Sequence, residues 1–205
     1  MKKIVFGKKE IDLVSNAYLI KKPAVLPTDT IYGITVPAFE KKAVLNLYKL
    51  RKRDYRKPFI ILISSLKDLS LFGVKLDTKR IAWLKKIWPQ NLTVIVPCDE
   101  KRFNYLHRDK GTLAFRLPDD KWLIRLIKTT GPIVAPSANI EGQSPAETVS
   151  EAYEYFGDKA VYLDGGKNKR KSSTIVSLEN NSFKIIRQGG YKLKKNEYFR
   201  PNDNN

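Results

Sequence analysis

The feature that most constrains the fold is an alternation along the chain. Short runs of β-branched and apolar residues are separated by stretches whose apolar residues recur at helical spacing. One run, residues 59–64 (FIILIS), is apolar almost throughout. Such a strand is expected to be buried on both faces, and the helical stretches supply the cover. A chain with this pattern builds a sheet with helices packed against it.

Helices are expected over residues 10–21, 40–53, 78–88, 120–129 and 145–156. In the second of these, Ala43, Val44, Leu47 and Leu50 fall on one stripe. Strands are expected over 24–27, 31–36, 59–64, 92–97, 112–117, 132–136, 160–164, 173–178 and 183–187. The last two are joined by Glu179-Asn180-Asn181-Ser182, a hairpin connection. The hairpin adds an antiparallel component, so the expected class is α/β, a twisted mixed β-sheet flanked by helices. The chain has 205 residues, roughly the size of one domain. That domain is expected over 1–190, with a polar basic tail, 191–205, that frays.

Composition narrows the function. One cysteine and one histidine leave no material for a disulfide framework, a cysteine-clustered zinc or iron–sulfur site, or a His-His metal site. His107 lies in a polar stretch and is expected to be a solvated loop residue. Cys98 is expected to be a small buried hydrophobe. No stretch approaches the roughly 18 apolar residues of a membrane span. The N-terminus, MKKIVFGKKEIDLV, has no long apolar run after its lysines, so no signal peptide is expected and the expected location is the cytoplasm. The 39 Lys and Arg against 21 Asp and Glu give +18, which attracts polyanions. A GxGxxG fingerprint is absent. Gly165-Gly166-Lys167 lacks the glycine spacing and following Ser/Thr of a P-loop.

Polar residues interrupt the core pattern in four places. Pro27-Thr28-Asp29-Thr30-Ile31-Tyr32-Gly33 sits between two strands and is either a turn or a binding loop. Lys49 to Lys57 has six basic residues in nine positions, more than a helix C-terminus needs and enough for a triphosphate or a nucleic-acid backbone. Pro136-Ser137-Ala138-Asn139 follows an apolar strand, where open α/β sheets present ligand-binding groups. Ser173-Thr174-Ile175 is followed by Arg187-Gln188-Gly189, whose arginine is either an exposed edge or a phosphate contact.

Taken in order, these segments resemble the YrdC-like family, the threonylcarbamoyl-AMP synthases. Residues 27–33 match a PT[DE]TxYG signature. Arg51-Lys52-Arg53 with Pro58 matches a KxR signature followed by proline. Ser137-Ala138-Asn139 with Gly142 matches SAN, Ser173-Thr174-Ile175 matches STI, and Arg187-Gln188-Gly189 matches R-x-G. Thr112, Arg116 and Pro118 match a T-x-x-x-R element before a proline. Each motif is short, but six in order over residues 10 to 190 are specific. The chain departs in carrying Arg51 where the family has lysine, Gln90-Asn91 where it has Gly-Pro, and Ser144 where it often has proline.

The resemblance implies a YrdC-like fold and a reaction joining L-threonine, bicarbonate and ATP to give threonylcarbamoyl-AMP and pyrophosphate. It implies that Arg51 and Arg53 neutralise the triphosphate and carbamate, and that Ser137, Asn139, Thr112 and Arg187 hold the nucleotide. It further implies that Thr28, Arg116 and Ser173 hold threonine, with Tyr32 walling that pocket. Mg²⁺ is expected to ride on ATP, with no dedicated protein metal site. The product is expected to pass to a separate transferase complex that modifies adenosine 37 of tRNA. The short run after Arg187 matches the family's short form. Two other readings stand beside it. A basic double-stranded-RNA or ribosome-binding module of the same fold fits the charge, including Lys167 to Lys171. A carbamoyl-adenylate former is disfavoured by the single Cys98.

Overall fold

The computed structural model describes residues 6–179 and 182–200. The chain runs α1 (Lys8–Leu19), β1 (Ala24–Pro27), β2 (Tyr32–Pro37), α2 (Lys41–Leu50), β3 (Ile60–Leu62) and α3 (Thr78–Ile87). It continues through β4 (Leu92–Pro97), α4 (Asn104–His107), β5 (Thr112–Arg116), α5 (Lys121–Thr130), β6 (Ile133–Val134), α6 (Val149–Phe156), β7 (Val161–Tyr162), β8 (Thr174–Ser177) and β9 (Lys184–Arg187). The strands form one sheet in the order β7-β1-β2-β6-β3-β5-β4-β8-β9. β1 with β7, β3 with β5 and β4 with β8 are parallel, and the other pairs are antiparallel. The expected mixed α/β sheet is what forms, including the terminal β8–β9 hairpin. Asn180 and Asn181 of its connection lie outside the described residues.

The pleat explains the two cores. Successive strand residues point to opposite faces. Ile61, Phe115, Val94 and Val176 face a large cluster that includes Val44 and Leu47 of α2 and Leu84 and Ile87 of α3. Leu26, Leu62 and Ile133 face a second cluster built with Val14 of α1 and Leu123, Leu126 and Ile127 of α5. That second layer covers the sheet only from β7 to β3. Beyond it, Ile60, Ala114, Ile95 and Ile175 are half-buried on strands whose alternate residues are fully buried. The run 59–64 is therefore covered on both faces only in part, because Ile60 packs against the edge of the second cluster and stays half-buried. This uncovered half-face carries the candidate site.

Several local expectations are corrected. α2 stops at Leu50 rather than continuing to 53. Lys52 takes a left-handed φ of 50° and the Arg53 amide bonds back to Tyr48 O at 2.9 Å, closing the helix and turning the basic residues off its axis. α6 starts at Val149, not 145, because Thr148 caps it by accepting a hydrogen bond from the Glu151 amide. His107 is buried, 6% exposed, with Nε2 3.3 Å from Glu100 O. Cys98 is buried as expected. The tail packs rather than frays through residue 200. Phe199 is 6% exposed against Trp83, and the Trp83 indole donates to Glu197 O at 2.8 Å. Among the described residues no helix is long and apolar enough to cross a membrane.

Candidate active site

The uncovered half-face forms the floor of a cleft with two lobes that share Ile60, Pro136, Ser137 and Arg187. Along β5, residues 112, 114 and 116 point to the same face. Thr112 and Ala114 thus border the outer lobe and Arg116 the inner one. The inner lobe, about 170 Å³, is also walled by Thr28, Thr30, Tyr32 and Ser173. The outer lobe, about 400 Å³, is walled by Arg53, Phe59, Lys110 and Glu179 over a floor that includes Ile95 and Ile175.

Each wall is fixed by its own local chemistry. The 136–139 segment runs alongside β2: Ile34 N donates to Pro136 O at 3.0 Å, Ala138 N donates to Tyr32 O at 2.9 Å, and Gly33 bridges to Ser137. Tyr32 Oη accepts from Gly165 N and donates to Gly166 O, both at 2.8 Å, which ties the 164–173 loop to the inner lobe. Burial raises the Tyr32 phenol above its ordinary pKa. Thr28 Oγ1 donates to Ile31 O at 2.7 Å and closes the β1–β2 turn. Ser173 Oγ lies 2.8 Å from Thr93 Oγ1. Arg187 donates to Ser173 O at 2.9 Å. That contact needs Gly189, where an added Cβ would come 2.2 Å from Ser172 O.

The cleft is electropositive by construction. Burial lowers the Arg187 pKa, and the nearby charges of Arg116 and Arg53 lower it further. Three guanidinium groups thus converge on one opening. Arg53 is held by bonds to Lys57 O at 3.2 Å and Pro58 O at 3.3 Å, with its guanidinium 5.2 Å from the Phe59 ring centre. Arg116 is buried in an ion pair, its Nη2 3.0 Å from Asp29 Oδ1.

Eight of the ten residues expected from the sequence border the cleft: Thr28, Tyr32, Arg53, Thr112, Arg116, Ser137, Ser173 and Arg187. Arg51 and Asn139 do not. Arg51 is 2% exposed. It donates through Nε to Asn139 O at 3.0 Å, and through Nη2 to Asn139 Oδ1 at 3.1 Å and Ser137 Oγ at 3.2 Å. Burial, and then the charge of Arg53, lowers its pKa to about 10. The Asn139 amide donates to Ile140 O and Gln143 O, both at 2.8 Å, so its donors are spent within the loop. These two residues form a layer behind Ser137. Neither borders the cleft where the nucleotide was expected, because α2 ends one residue before Arg51 and the turn at Lys52 carries Arg51 inward.

Three further residues belong to the site. Glu141 accepts from Asp54 N at 2.6 Å and from Lys57 Nζ at 2.8 Å, and its own amide donates to Arg51 O at 2.9 Å. It locks the basic loop to the Ser137 loop. Asn91 Nδ2 donates to Asp29 O at 3.4 Å, and Arg170 Nη1 donates to Thr28 O at 3.3 Å. Nothing in the sequence marked Glu141, and Arg170 stood only as a member of the basic run Lys167 to Lys171. Asn91 stood only as a departure from the family pattern, and Asp29 only as a member of the PTDTxYG run.

The family model for Sua5, YciO and YrdC proteins, described as "Telomere recombination", matches residues 20–189. The chain belongs to this family. The threonylcarbamoyl-AMP synthase of Pyrococcus abyssi is 30% identical over 179 residues, 86% of this chain and 53% of that protein. The threonylcarbamoyl-AMP synthase of Photorhabdus laumondii is 30% identical over 169 residues, 80% of this chain and 88% of that protein. The crystal structure of P. abyssi Sua5 complexed with L-threonine matches with a TM-score of 0.84 at 26% identity, over 91% of this chain and 56% of that one. The chain thus spans about half the length of the P. abyssi relative. The family reading made from the six sequence motifs is borne out.

Proposed function

We propose that this chain is an L-threonylcarbamoyladenylate synthase, a nucleotidyltransferase. The observation that carries the reading is the division of one cleft into a small polar lobe and a larger basic lobe with an apolar floor. The sizes suit an amino acid in the first and a nucleotide in the second. Ile60, Ile95 and Ile175 offer the flat face of a purine an apolar surface. Arg53, Lys110 and Arg187 offer its phosphates positive charge.

In the reaction, the threonine amine adds to bicarbonate and water is lost, giving N-carboxythreonine. A carbamate oxygen then attacks the α-phosphorus of ATP, the α–β phosphoanhydride breaks, and pyrophosphate leaves. Carbamate and triphosphate are both anions, so the site has to neutralise and align them rather than supply a nucleophile. Arg53 and Arg187 supply the charge, Thr112 and Ser137 supply polar contacts, and Arg116 takes the threonine carboxylate. Magnesium bound to the triphosphate would screen its charge. The nearby Asp29 carboxylate is already engaged by Arg116, so phosphate oxygens would be the main ligands of the ion. The product is a water-labile mixed anhydride, and we assign its handover to a transferase complex acting on tRNA in the cytoplasm.

Pyrophosphate release by the purified chain tests this reading. It is expected to require ATP, L-threonine and bicarbonate together. Release indifferent to threonine and bicarbonate would count against it. Binding of neither ATP nor threonine, with strongly salt-dependent RNA binding, would favour a non-catalytic RNA-binding module. Arg116→Ala should raise the threonine KM at least about tenfold, the size of a lost charged hydrogen bond, with the ATP KM within about twofold. An unchanged threonine KM sinks the role given to Arg116.

A further inference from the structure

Asp29 is a buried carboxylate, 6% exposed, in the turn between β1 and β2. Both of its oxygens are used inside the protein. Oδ1 accepts from Arg116 Nη2 at 3.0 Å and Oδ2 accepts from Asp119 N at 3.3 Å. Its backbone is held as firmly: Asn91 and Arg170 reach its carbonyl at 3.4 and 3.5 Å. Asp29 itself does not border the inner lobe, whereas Arg116 does. Arg116 Nε is buried and has no acceptor among the described residues. A buried N–H without a partner is costly, so the guanidinium keeps unused donor capacity beside the lobe that Arg116 borders.

The charge balance carries the argument further. Arg116 and Arg187 both border the inner lobe. Without Asp29 that lobe would present two uncompensated guanidinium groups and take any small anion, including phosphate. With Asp29 behind Arg116, one of the two charges is compensated at 3.0 Å. The outer lobe sets Arg53, Lys110 and Arg187 against the single carboxylate of Glu179, so it keeps the larger positive charge. An amino acid is a zwitterion and a phosphate is a multivalent anion, so lowering the net charge of the inner lobe favours the first over the second.

We propose that Asp29 is a positioning and specificity-determining residue that orients Arg116 and lowers the charge of the inner lobe, so that this lobe takes a zwitterionic amino acid and rejects phosphate. The inference rests on the synthase reading. In Asp29→Asn the side chain keeps its size and one acceptor but loses its charge. By calorimetry, L-threonine affinity should fall about tenfold to a hundredfold, the range of a charged hydrogen bond. ATP affinity should stay within about twofold. Inorganic phosphate should leave threonine binding by the wild type unchanged and become competitive with threonine in the variant. Asp29→Glu restores the charge and should recover most of both properties, a rescue that a purely structural role would not tie to phosphate competition.

Unchanged threonine affinity in Asp29→Asn, or reduced affinity with no gain of phosphate competition, overturns the proposal. Where Asp29→Asn melts below the assay temperature, the wild type carries the test, and displacement of threonine by millimolar phosphate overturns it. A wild type that binds no L-threonine overturns the synthase reading and this inference with it. A wild type that binds threonine, beside an Asp29→Asn variant that binds it equally well, overturns this inference alone.

Discussion

Arg53→Ala is expected to lower kcat for pyrophosphate release by about two to three orders of magnitude while leaving the fold intact. The guanidinium borders the outer lobe, where the triphosphate lies in the proposed reaction. A preorganised donor aimed at developing charge is worth about 10²–10³ in kcat. The stability cost is small by comparison. The Arg53 side chain is 22% exposed, its nearest carboxylate, Glu141, is 4.0 Å away, and its bonds go to two loop carbonyls. A partly exposed ion pair of this kind contributes about 0–1 kcal/mol, and in a chain of this size that moves Tm by no more than about 4 °C. Arg53→Lys keeps the charge but replaces a planar fork with a single ammonium, and should fall between the wild type and alanine. Turnover of Arg53→Ala within about threefold of wild type would remove the basic loop from the chemistry.

How much of this was legible in the sequence differs from level to level. The sheet and its helices were, because apolar periodicity is a burial signal and burial decides the layers. Val44 and Leu47 fell on the buried stripe as read, and the 173–178 and 183–187 hairpin formed. What escaped depended on contacts between distant segments. Nothing local distinguishes Ile60 from Ile61, yet one lies on the cleft floor and the other in the core. The two point to opposite faces of β3, and the second cluster covers the face of Ile60 only in part. The polar stretch around His107 read as solvated, but Phe103, Tyr105 and Leu106 fold it inward. The tail looked free because its charges outnumber its apolar residues. One aromatic, Phe199, was enough to dock it beside Trp83.

The candidate site divides the same way. Motif residues located eight of the cleft-lining positions, since the motifs mark residues on adjoining strand ends and turns. Spacing alone could not say which arginine of Arg51-Lys52-Arg53 faces the cleft. That is decided by the turn at Lys52, whose left-handed φ of 50° sends Arg51 inward and leaves Arg53 at the opening. Glu141 was invisible because its work is done across the gap to Asp54 and Lys57.

Arg51→Ala should therefore behave unlike Arg53→Ala, failing through the fold before it fails through the chemistry. Truncation removes three hydrogen bonds from a buried guanidinium and leaves Asn139 Oδ1 and Ser137 Oγ without it. Hydrogen bonds to charged groups contribute about 1.5–3 kcal/mol each. Part of that sum is offset, because the guanidinium is costly to bury and its Nη1 already lacks a partner. A net loss of about 3 kcal/mol is expected, and a fall in Tm of roughly 6–12 °C for a chain of this size. Activity should fall with it, since Ser137 loses its support, but the affinities for ATP and threonine should weaken together rather than ATP alone. Arg51→Lys, the residue the family carries here, keeps the charge and one point of contact, and should recover part of the lost Tm. The opposite pattern, a wild-type Tm with selective loss of ATP binding, would return Arg51 to the phosphates, where the sequence alone had put it.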